Sequence, residues 1–237
     1  MKKLEIGYNH TFEIRTENIQ SELPKGFSIL FISDLHLSCF SQKLIHKLIC
    51  EIEVINPDII LLGGDYIDFD GGLIYLNSLL AYLSTKRYVF AIAGNHDYFF
   101  GISKVKSLFI ENNIKWIENG YHIFSIKSIN LLVSNLHEKL LSADFNIQMV
   151  HNPKDFKRTQ QHFHLQLAGH LHGCQIVWWK KDHGLYPGKL FYPWNLLKKE
   201  GLHNLKLISK GLGDTLPIRF NCPKDIILVN VLAKETK

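Results

Sequence analysis

The chain has 237 residues, of which 46% are hydrophobic and 21% are charged, a composition that excludes a disordered protein and suits one large domain or at most two small ones. The formal net charge of +5 is compatible with an anionic substrate or an anionic membrane surface. It is far below the basicity of a dedicated nucleic-acid binder, so no specific nucleic-acid partner is expected.

The first half of the sequence alternates short apolar runs with stretches whose apolar side chains recur at helical spacing. The predicted elements are a strand at Phe27–Ser33, a helix at Ser41–Ile55 with Ser41 as its N-cap, a strand at Asp58–Leu62, a helix at Gly72–Ser84, a strand at Tyr88–Ala93 and a helix at Ser103–Asn112. This alternation is typical of a parallel sheet with covering helices.

After Ile114 predicted helices become scarce and strands dominate. Tyr121–Leu136 indicates a hairpin folded at Ser128–Asn130. Further strands are predicted at Phe145–Val150, Phe163–Ala168, Leu205–Ser209 and Asp225–Leu232. We therefore expect a second, more antiparallel sheet that packs on the first within a single domain of residues 1–237.

The sequence carries no signal for export or membrane insertion. The N-terminal segment includes Glu5, His10 and Glu13 and has no apolar core of a signal peptide. No run approaches the roughly 18 apolar residues of a membrane span. The four cysteines form no CxxC pair, which argues against a zinc finger or a disulfide framework and favours free thiols. We expect a cytoplasmic protein.

Polar side chains follow five of the predicted strands, at the strand ends where ligands bind in open α/β sheets. These segments are Ser33-Asp34-Leu35-His36, Gly63-Gly64-Asp65-Tyr66-Ile67-Asp68, Gly94-Asn95-His96-Asp97, His151-Asn152-Pro153 and Gly169-His170-Leu171-His172-Gly173. A lone histidine is usually an ordinary surface or core residue. Five clusters of carboxylate, carboxamide and imidazole indicate a metal site, and this mixture suits Mn²⁺, Fe or Zn²⁺ better than Ca²⁺.

The order of these segments resembles the calcineurin-like metallophosphoesterase family. The end of the chain, with Ser209-Lys210-Gly211-Leu212-Gly213, Pro217-Ile218-Arg219 and Cys222-Pro223, resembles a bacterial branch of small phosphodiesterases that includes a UDP-2,3-diacylglucosamine pyrophosphatase. The resemblance implies a hydrolase of phosphate esters or anhydrides. It also implies an α/β fold of two facing mixed β-sheets flanked by helices, a four-layer α/β/β/α sandwich.

The resemblance further implies seven ligands for two divalent cations, with Mn²⁺ favoured and Fe or Zn²⁺ as alternatives. The ligands are Asp34, His36 and His172 for one cation, Asn95, His151 and His170 for the other, and Asp65 as the bridge between them. A bridging carboxylate can hold two cations roughly 3.5–4 Å apart, and a hydroxide trapped between them would attack phosphorus in line.

Two further residues receive catalytic roles from the resemblance. His96 would protonate the leaving oxygen, and Asp68 would orient His96, with Asp97 as the rival for that task. Asp68 and Asp97 could instead be plain turn or capping carboxylates. Phe69 stands where the family's protein phosphatases carry a phosphate-gripping arginine, so a phosphoprotein is a poor candidate substrate.

Tryptophans are interleaved with lysines between Trp178 and Lys199. Indole and ammonium groups together suit a membrane–water interface, although the same aromatics could be ordinary core and rim contacts. The predicted contacts with substrate or membrane are Trp178, Trp179, Trp194 and, in the tail, Arg219. Peripheral binding at the inner face of the cytoplasmic membrane is therefore an alternative to a purely cytoplasmic location.

Three functions remain open from the sequence. The broadest is a phosphodiesterase or pyrophosphatase acting on a phosphorylated small molecule. If the tryptophans bind lipid, the substrate would carry acyl chains, which favours a UDP-2,3-diacylglucosamine pyrophosphatase of lipid A synthesis. The third, a non-catalytic binding scaffold, is disfavoured because such a scaffold should have lost a ligand or His96, and this sequence keeps them all.

Overall fold

The computed structural model describes residues 3–7, 10–135, 143–158, 162–201, 204–214 and 216–234. Its strands are β1 Leu4–Ile6, β2 Glu13–Gln20, β3 Phe27–Ile32, β4 Ile59–Leu62, β5 Val89–Ala91, β6 Lys115–Trp116, β7 Tyr121–Ile126, β8 Ile129–Ser134, β9 Phe145–Met149, β10 Leu165–Ala168, β11 Val177–Lys181, β12 Gly184–Pro187, β13 Lys198–Glu200, β14 Leu205–Ile208, β15 Ile218–Phe220 and β16 Asp225–Leu232. Its helices are α1 Gln42–Ile55, α2 Leu73–Leu83, α3 Asn95–Phe100, α4 Ile102–Glu111 and α5 Gly188–Phe191, with 3₁₀ turns at Asp70–Gly72, Pro153–Arg158 and His172–Cys174.

Two six-stranded mixed sheets form the body of the protein. The first has the order β2-β16-β3-β4-β5-β6 and the second the order β13-β14-β10-β9-β8-β7. In the first sheet the antiparallel pair is β16 with β3. In the second sheet the antiparallel pairs are the two outer ones, β13 with β14 and β7 with β8. The predicted fold class is confirmed, and the second sheet is the more antiparallel of the two.

The space between the sheets is filled by apolar side chains from both. Phe31 and Leu61 of the first sheet share one buried cluster with Val133, Ile147 and Leu167 of the second. This core fixes how the two sheets face each other, because burying such side chains is the main favourable term in folding.

Helices cover the outer face of the first sheet. Alternate strand residues such as Leu30 and Ile60 point away from the inter-sheet core and pack against Leu48 of α1, Leu79 of α2 and Phe109 of α4. The central strands β3, β4 and β5 are therefore buried on both faces, which explains why they form continuous apolar runs in the sequence. On the other side of the molecule, Lys206 Nζ of the second sheet lies 5.5 Å from the ring of Phe156, in the turn Pro153–Arg158.

The structure corrects the prediction for the last strand. We expected Asp225–Leu232 in the second sheet, but β16 lies in the first, between β2 and β3. Its side chains serve both faces of that sheet, since Val229 joins the inter-sheet core and Ile226 joins the helix-covered one. The edge strand β2 escaped prediction because it alternates exposed and half-buried residues and is rich in charge.

The hairpin β11–β12 and the short helices α3 and α5 were also not predicted. The predicted N-cap Ser41 does precede α1, but its hydroxyl accepts a hydrogen bond from the Ser38 amide at 3.0 Å instead of capping the helix. Among the described residues, no helix combines the length and the apolar character that a bilayer-spanning segment needs.

Candidate metal centre

The five predicted ligand-bearing segments meet at one edge of the sandwich. They follow β3, β4 and β5, which are parallel neighbours in the first sheet, and β9 and β10, which are parallel neighbours in the second. Parallel strands end at the same sheet edge, and the two sheets face each other, so the five loops converge.

The loops hold their polar residues in an unusual backbone conformation. Positive φ angles occur at five predicted metal ligands: Asp34 (55°), His36 (43°), Asp65 (56°), His170 (75°) and His172 (49°). Such a conformation costs a non-glycine residue on the order of 1 kcal/mol or more, and it clusters at functional sites. Backbone hydrogen bonds between neighbouring loops hold it in place, from the Asp34 amide to Gly64 and from the His36 amide to Asp65, each 3.0 Å long.

Two glycines are required by the closeness of these loops. A Cβ atom on Gly94 would lie 2.1 Å from Asp65 Oδ1, and one on Gly169 would lie 2.2 Å from Asp34 Oδ2. Any side chain at either position would displace a carboxylate. The glycines beside the polar residues therefore serve close approach of the backbone to the two aspartates.

One group of side chains comprises Asp34, His36 and His172, all buried, with ligand atoms within 4.8 Å of one another. Nε2 of His36 lies 3.1 Å from Nε2 of His172. Nε2 of His172 lies 3.6 Å from Oδ1 of Asp34. These are the three residues predicted to share one cation.

The second group comprises Asp65, His151 and His170, joined by Asn95. Nε2 of His151 is central, because it lies 3.1 Å from Asp65 Oδ2, 3.0 Å from Asn95 Oδ1 and 3.2 Å from His170 Nδ1. Asp65 Oδ2 also lies 3.7 Å from Nε2 of His36 in the first group. Asp65 therefore stands between the two groups, where the predicted bridge should be.

The donor atoms of both groups fit bound cations. Nδ1 of His151 donates to the Gly63 carbonyl at 2.9 Å, so Nε2 is the ring nitrogen that faces the Asp65 carboxylate and can bind a cation. Nδ1 of His36 donates to Asp68 at 2.7 Å, so its Nε2 directs a lone pair at His172. Orienting the second ring nitrogen of an imidazole in this way is how proteins prepare a histidine ligand.

The electrostatics of the site favour a positive charge as well. Burial alone would lower the pKa of His151, but its hydrogen bond to Asp65 and the charges of Asp34 and Asp65 raise it to about 9. The pKa of Asp65 is correspondingly held well below its usual value, against the effect of burial, by His151 and His36. Carboxylates that stabilise an imidazolium in this way also stabilise a metal cation.

His172 differs from His151. Burial lowers its pKa to about 4, reinforced by the neighbouring His36 and Arg219 and opposed by the charge of Asp34. Burial and the neighbouring His151 likewise lower the pKa of His170. Both rings are therefore neutral near pH 7, which is the form that binds a metal.

His96 lies beside this centre and is linked to it through Asp68. Its Nδ1 is 2.8 Å from Asp68 Oδ1, the same oxygen that binds His36. The rings of His36 and His96 are nearly perpendicular, with centroids 4.6 Å apart. Burial tends to raise the pKa of Asp68, but these two imidazoles lower it, so the carboxylate is ionised.

Asp97, the rival predicted partner of His96, is fully buried and faces the backbone instead. Its Oδ2 accepts hydrogen bonds from the amides of Gly94 at 2.7 Å and Asp65 at 2.9 Å. Its Oδ1 accepts one from the Tyr66 amide at 2.8 Å. Burial, reinforced by the charge of Asp65, raises its pKa to about 6 despite these bonds. Of the two interpretations of Asp97, the geometry matches the capping carboxylate.

The four predicted contacts with substrate or membrane fall into two pairs. Trp178 and Trp179 lie on β11 and are 57% and 45% exposed. Trp194 is buried, with its ring centroid 5.6 Å from that of Phe156. Here the prediction is corrected, because an indole inside a core cluster cannot enter a headgroup layer.

Arg219 needs the same correction, since it is 2% exposed. Its guanidinium donates to the carbonyls of Lys210 and Gly213, both at 2.9 Å, and pairs with the Asp214 carboxylate. Its Nη2 also lies 3.5 Å from Nδ1 of His172. Arg219 therefore contacts a residue of the candidate metal centre from inside the protein and does not line a surface.

The structure also reveals neighbours of His96 that were not predicted. Phe99 is 87% exposed, and with Phe69 it lines a cleft of about 480 Å³ next to His96 and Asp68. These neighbours were missed because the helix α3 was not predicted from the sequence. Residues three apart on a helix share a face, so a predicted helix here would have placed Phe99 next to His96.

Comparison with known proteins agrees with this geometry. The family model of the calcineurin-like phosphoesterases matches residues 27–174, a span that includes all five ligand-bearing segments. An uncharacterized metallophosphoesterase of Bacillus subtilis strain 168, YkuE, is 28% identical over 246 residues, covering 92% of this chain and 84% of its own. The phosphodiesterase YaeI of Escherichia coli K12 is 32% identical over 168 residues, covering 63% of this chain and 62% of its own.

Among solved structures, a 5′-nucleotidase precursor from Thermus thermophilus superimposes with a TM-score of 0.54 at 12% sequence identity. The match covers 88% of this chain and 54% of that protein. At this identity the likeness concerns the fold alone.

Proposed function

The chain belongs to the calcineurin-like phosphoesterase family, and we propose that this metal-dependent phosphoester hydrolase cleaves a phosphodiester or pyrophosphate bond with two divalent cations. The observation that supports this proposal is the position of Asp65 between two groups of metal-binding side chains. A shared carboxylate is what a pair of adjacent cations requires.

The proposed ligands follow from the two groups. Asp34, His36 and His172 would hold one cation, Asn95, His151 and His170 the other, and Asp65 both. When bound, the pair supplies an activated water near neutral pH and neutralises charge on the phosphoryl oxygens. We favour Mn²⁺, since the donor set mixes carboxylate, carboxamide and imidazole, with Fe or Zn²⁺ as alternatives.

We assign His96 the role of general acid, which donates a proton to the leaving oxygen. Asp68 accepts the Nδ1 proton of His96, which fixes the ring so that Nε2 is the atom that can face substrate. The side chain of His96 is 32% exposed, so substrate can reach it, whereas that of His36 is fully buried. A correctly placed general acid contributes about 10²–10⁴-fold to the rate.

The relative named as a phosphodiesterase favours a diester substrate. A UDP-2,3-diacylglucosamine pyrophosphatase is a second candidate, which a separate observation supports. The segment that follows His172 presents exposed apolar side chains, with Trp178 at 57%, Leu190 at 67% and Phe191 at 76%. Lysines are interleaved with them, so this segment suits an acyl chain or an anionic lipid surface.

Metal replacement tests the proposal directly. The protein is stripped with a chelator and assayed on bis(p-nitrophenyl) phosphate during titration with Mn²⁺. We expect activity to return as two ions bind per chain, and Asp65→Asn to lose turnover and weaken binding of both ions. Glu118→Gln removes an exposed carboxylate that pairs with Lys106 and serves as the control. Full activity in the stripped protein, or undiminished turnover in Asp65→Asn, would contradict the proposal.

The substrate is tested separately by measuring UMP release from UDP-2,3-diacylglucosamine in detergent micelles, with and without Mn²⁺. Metal-dependent release supports the pyrophosphatase. No release by a protein that is active on bis(p-nitrophenyl) phosphate excludes it and leaves the general phosphodiesterase.

A further inference from the structure

The cleft beside His96 has two aromatic walls. Phe69 is 65% exposed and Phe99 is 87% exposed, and both line the same space of about 480 Å³ as His96, Asp68, Asp70 and Lys104. Large exposed phenyl rings at the mouth of a polar site lose nothing by being covered by a ligand, and they gain burial when one binds.

The rings are placed by the same elements that place the proposed acid. Phe99 follows His96 by three residues on α3, and the two ring centroids are 6.3 Å apart at an interplanar angle of 83°. Phe69 follows Asp68 directly and precedes the 3₁₀ turn Asp70–Gly72. A group attached to the oxygen that His96 protonates would therefore lie next to the cleft that Phe69 and Phe99 line.

We infer that this cleft is the leaving-group subsite and that it takes a planar heteroaromatic group, the nucleobase of a departing nucleoside, against Phe69 and Phe99. The inference rests on the proposed function, because the leaving group is located by the role of His96. Phenyl rings stack on any base without reading its hydrogen-bonding edge, so the subsite should accept purines and pyrimidines alike.

The polar groups of the cleft favour a nucleoside over an acyl chain. The cleft holds the polar side chain of Asp68 and an exposed ion pair in which Lys104 Nζ donates to Asp70 Oδ1 at 2.8 Å. Covering these charges with a hydrocarbon chain would cost hydration without replacing it. A nucleoside has an apolar ring face for Phe69 and Phe99 and polar edges and hydroxyls for the remaining groups.

The test compares two diesters with the Mn²⁺-loaded protein. Thymidylyl-thymidine offers a nucleoside leaving group whichever ester bond breaks, and glycerophosphoethanolamine offers only aliphatic ones. We expect Phe99→Ala and Phe69→Ala each to lower kcat/KM for thymidylyl-thymidine roughly 5- to 100-fold, as loss of one base–aromatic stack does. The value for glycerophosphoethanolamine should stay within about twofold, since only the nucleoside uses the stack.

Matched variants distinguish aromatic stacking on the ring from the mere volume of the side chain. Phe99→Tyr should retain activity on thymidylyl-thymidine, and Phe99→Leu should behave like Phe99→Ala. Tyr121→Ala removes an exposed ring from the edge strand β7 and should leave both substrates unaffected. Metal content measured on each variant verifies that the centre is intact.

Equal losses on the two diesters, or a Phe99→Leu variant as active as Phe99→Tyr, would overturn the subsite. Faster turnover of glycerophosphoethanolamine than of thymidylyl-thymidine by the unaltered protein would also overturn the subsite and would favour a lipid-derived leaving group. If the Mn²⁺-loaded protein cleaves neither diester nor bis(p-nitrophenyl) phosphate, the proposed function itself fails, and the subsite fails with it.

Discussion

Asp68 Oδ1 accepts a hydrogen bond from Nδ1 of His36 at 2.7 Å, and the same oxygen accepts one from His96 at 2.8 Å. One carboxylate oxygen thus supports a proposed metal ligand and the proposed acid together. Because both imidazoles donate to it, both direct Nε2 away from Asp68. In His36 that atom faces the metal centre, and in His96 it is free for substrate.

Asp68→Asn keeps an oxygen acceptor but removes the negative charge. We expect the Mn²⁺ concentration for half-maximal activity to rise about 10- to 100-fold, because outer partners of metal-binding histidines contribute that much to affinity. At saturating metal, kcat should remain reduced, since His96 loses the carboxylate that accepts its Nδ1 proton and orients its ring. Metal titration followed by steady-state kinetics measures both effects. An unchanged metal requirement would show that Asp68 serves His96 alone.

His96→Asn should separate proton donation from metal binding. An alkoxide leaving group needs a proton, so kcat on thymidylyl-thymidine should fall by about 10²–10⁴-fold. p-Nitrophenolate leaves readily without one, so kcat on bis(p-nitrophenyl) phosphate should fall far less. The number of Mn²⁺ ions bound should stay as in the unaltered protein. Equal losses on the two substrates would contradict the acid role and indicate that His96 positions the phosphate instead.

Much of this site could be predicted from local sequence because strand ends in parallel sheets meet in space. Apolar runs ending in Asp34, Asp65 and Asn95 sufficed to place these residues at one edge. The position of β16 could not be predicted, since its apolar run is compatible with either sheet. β16 pairs with β2 and β3, which lie near the other end of the sequence, and no local pattern predicts such a distant pairing.

The errors at Trp194 and Arg219 have a related cause. The sequence around Trp194 looks the same whether its ring faces solvent or Phe156. Arginine is rarely buried unless it is paired, and the pairing of Arg219 with Asp214 depends on a loop geometry that no periodicity encodes. The roles of Asp68 and Asp97 were ambiguous for the same reason, because a carboxylate near a turn can bind either a side chain or the backbone.

Asp97→Asn should lower the stability of the fold, unlike Asp68→Asn. Both oxygens of Asp97 accept backbone amide protons, so an amide group there must direct its NH₂ at another donor. An unsatisfied buried group costs about 1–3 kcal/mol. Urea denaturation of the two variants measures this difference. Equal stability of Asp97→Asn and the unaltered protein would show that the loop holds its shape without these three bonds.

The segment β11–α5 provides the last prediction, which concerns membranes. Trp178 is 57% exposed, while Trp179 stacks on Tyr186 with centroids 5.2 Å apart, so Trp178 is the freer ring. We expect the protein to sediment with vesicles containing phosphatidylglycerol and to be released by salt, because lysines near an anionic surface contribute about 1 kcal/mol each.

Two kinds of substitution test this binding. Trp178→Glu should weaken it through loss of apolar burial and added repulsion, and Lys180→Gln with Lys181→Gln should weaken it through lost charge. Lys106→Gln with Lys115→Gln, on α4 and β6, removes two charges outside β11–α5 and should leave binding unchanged. If all of these variants bind vesicles equally, the overall charge of +5 accounts for the attraction, and the exposed tryptophan is left for a contact with substrate.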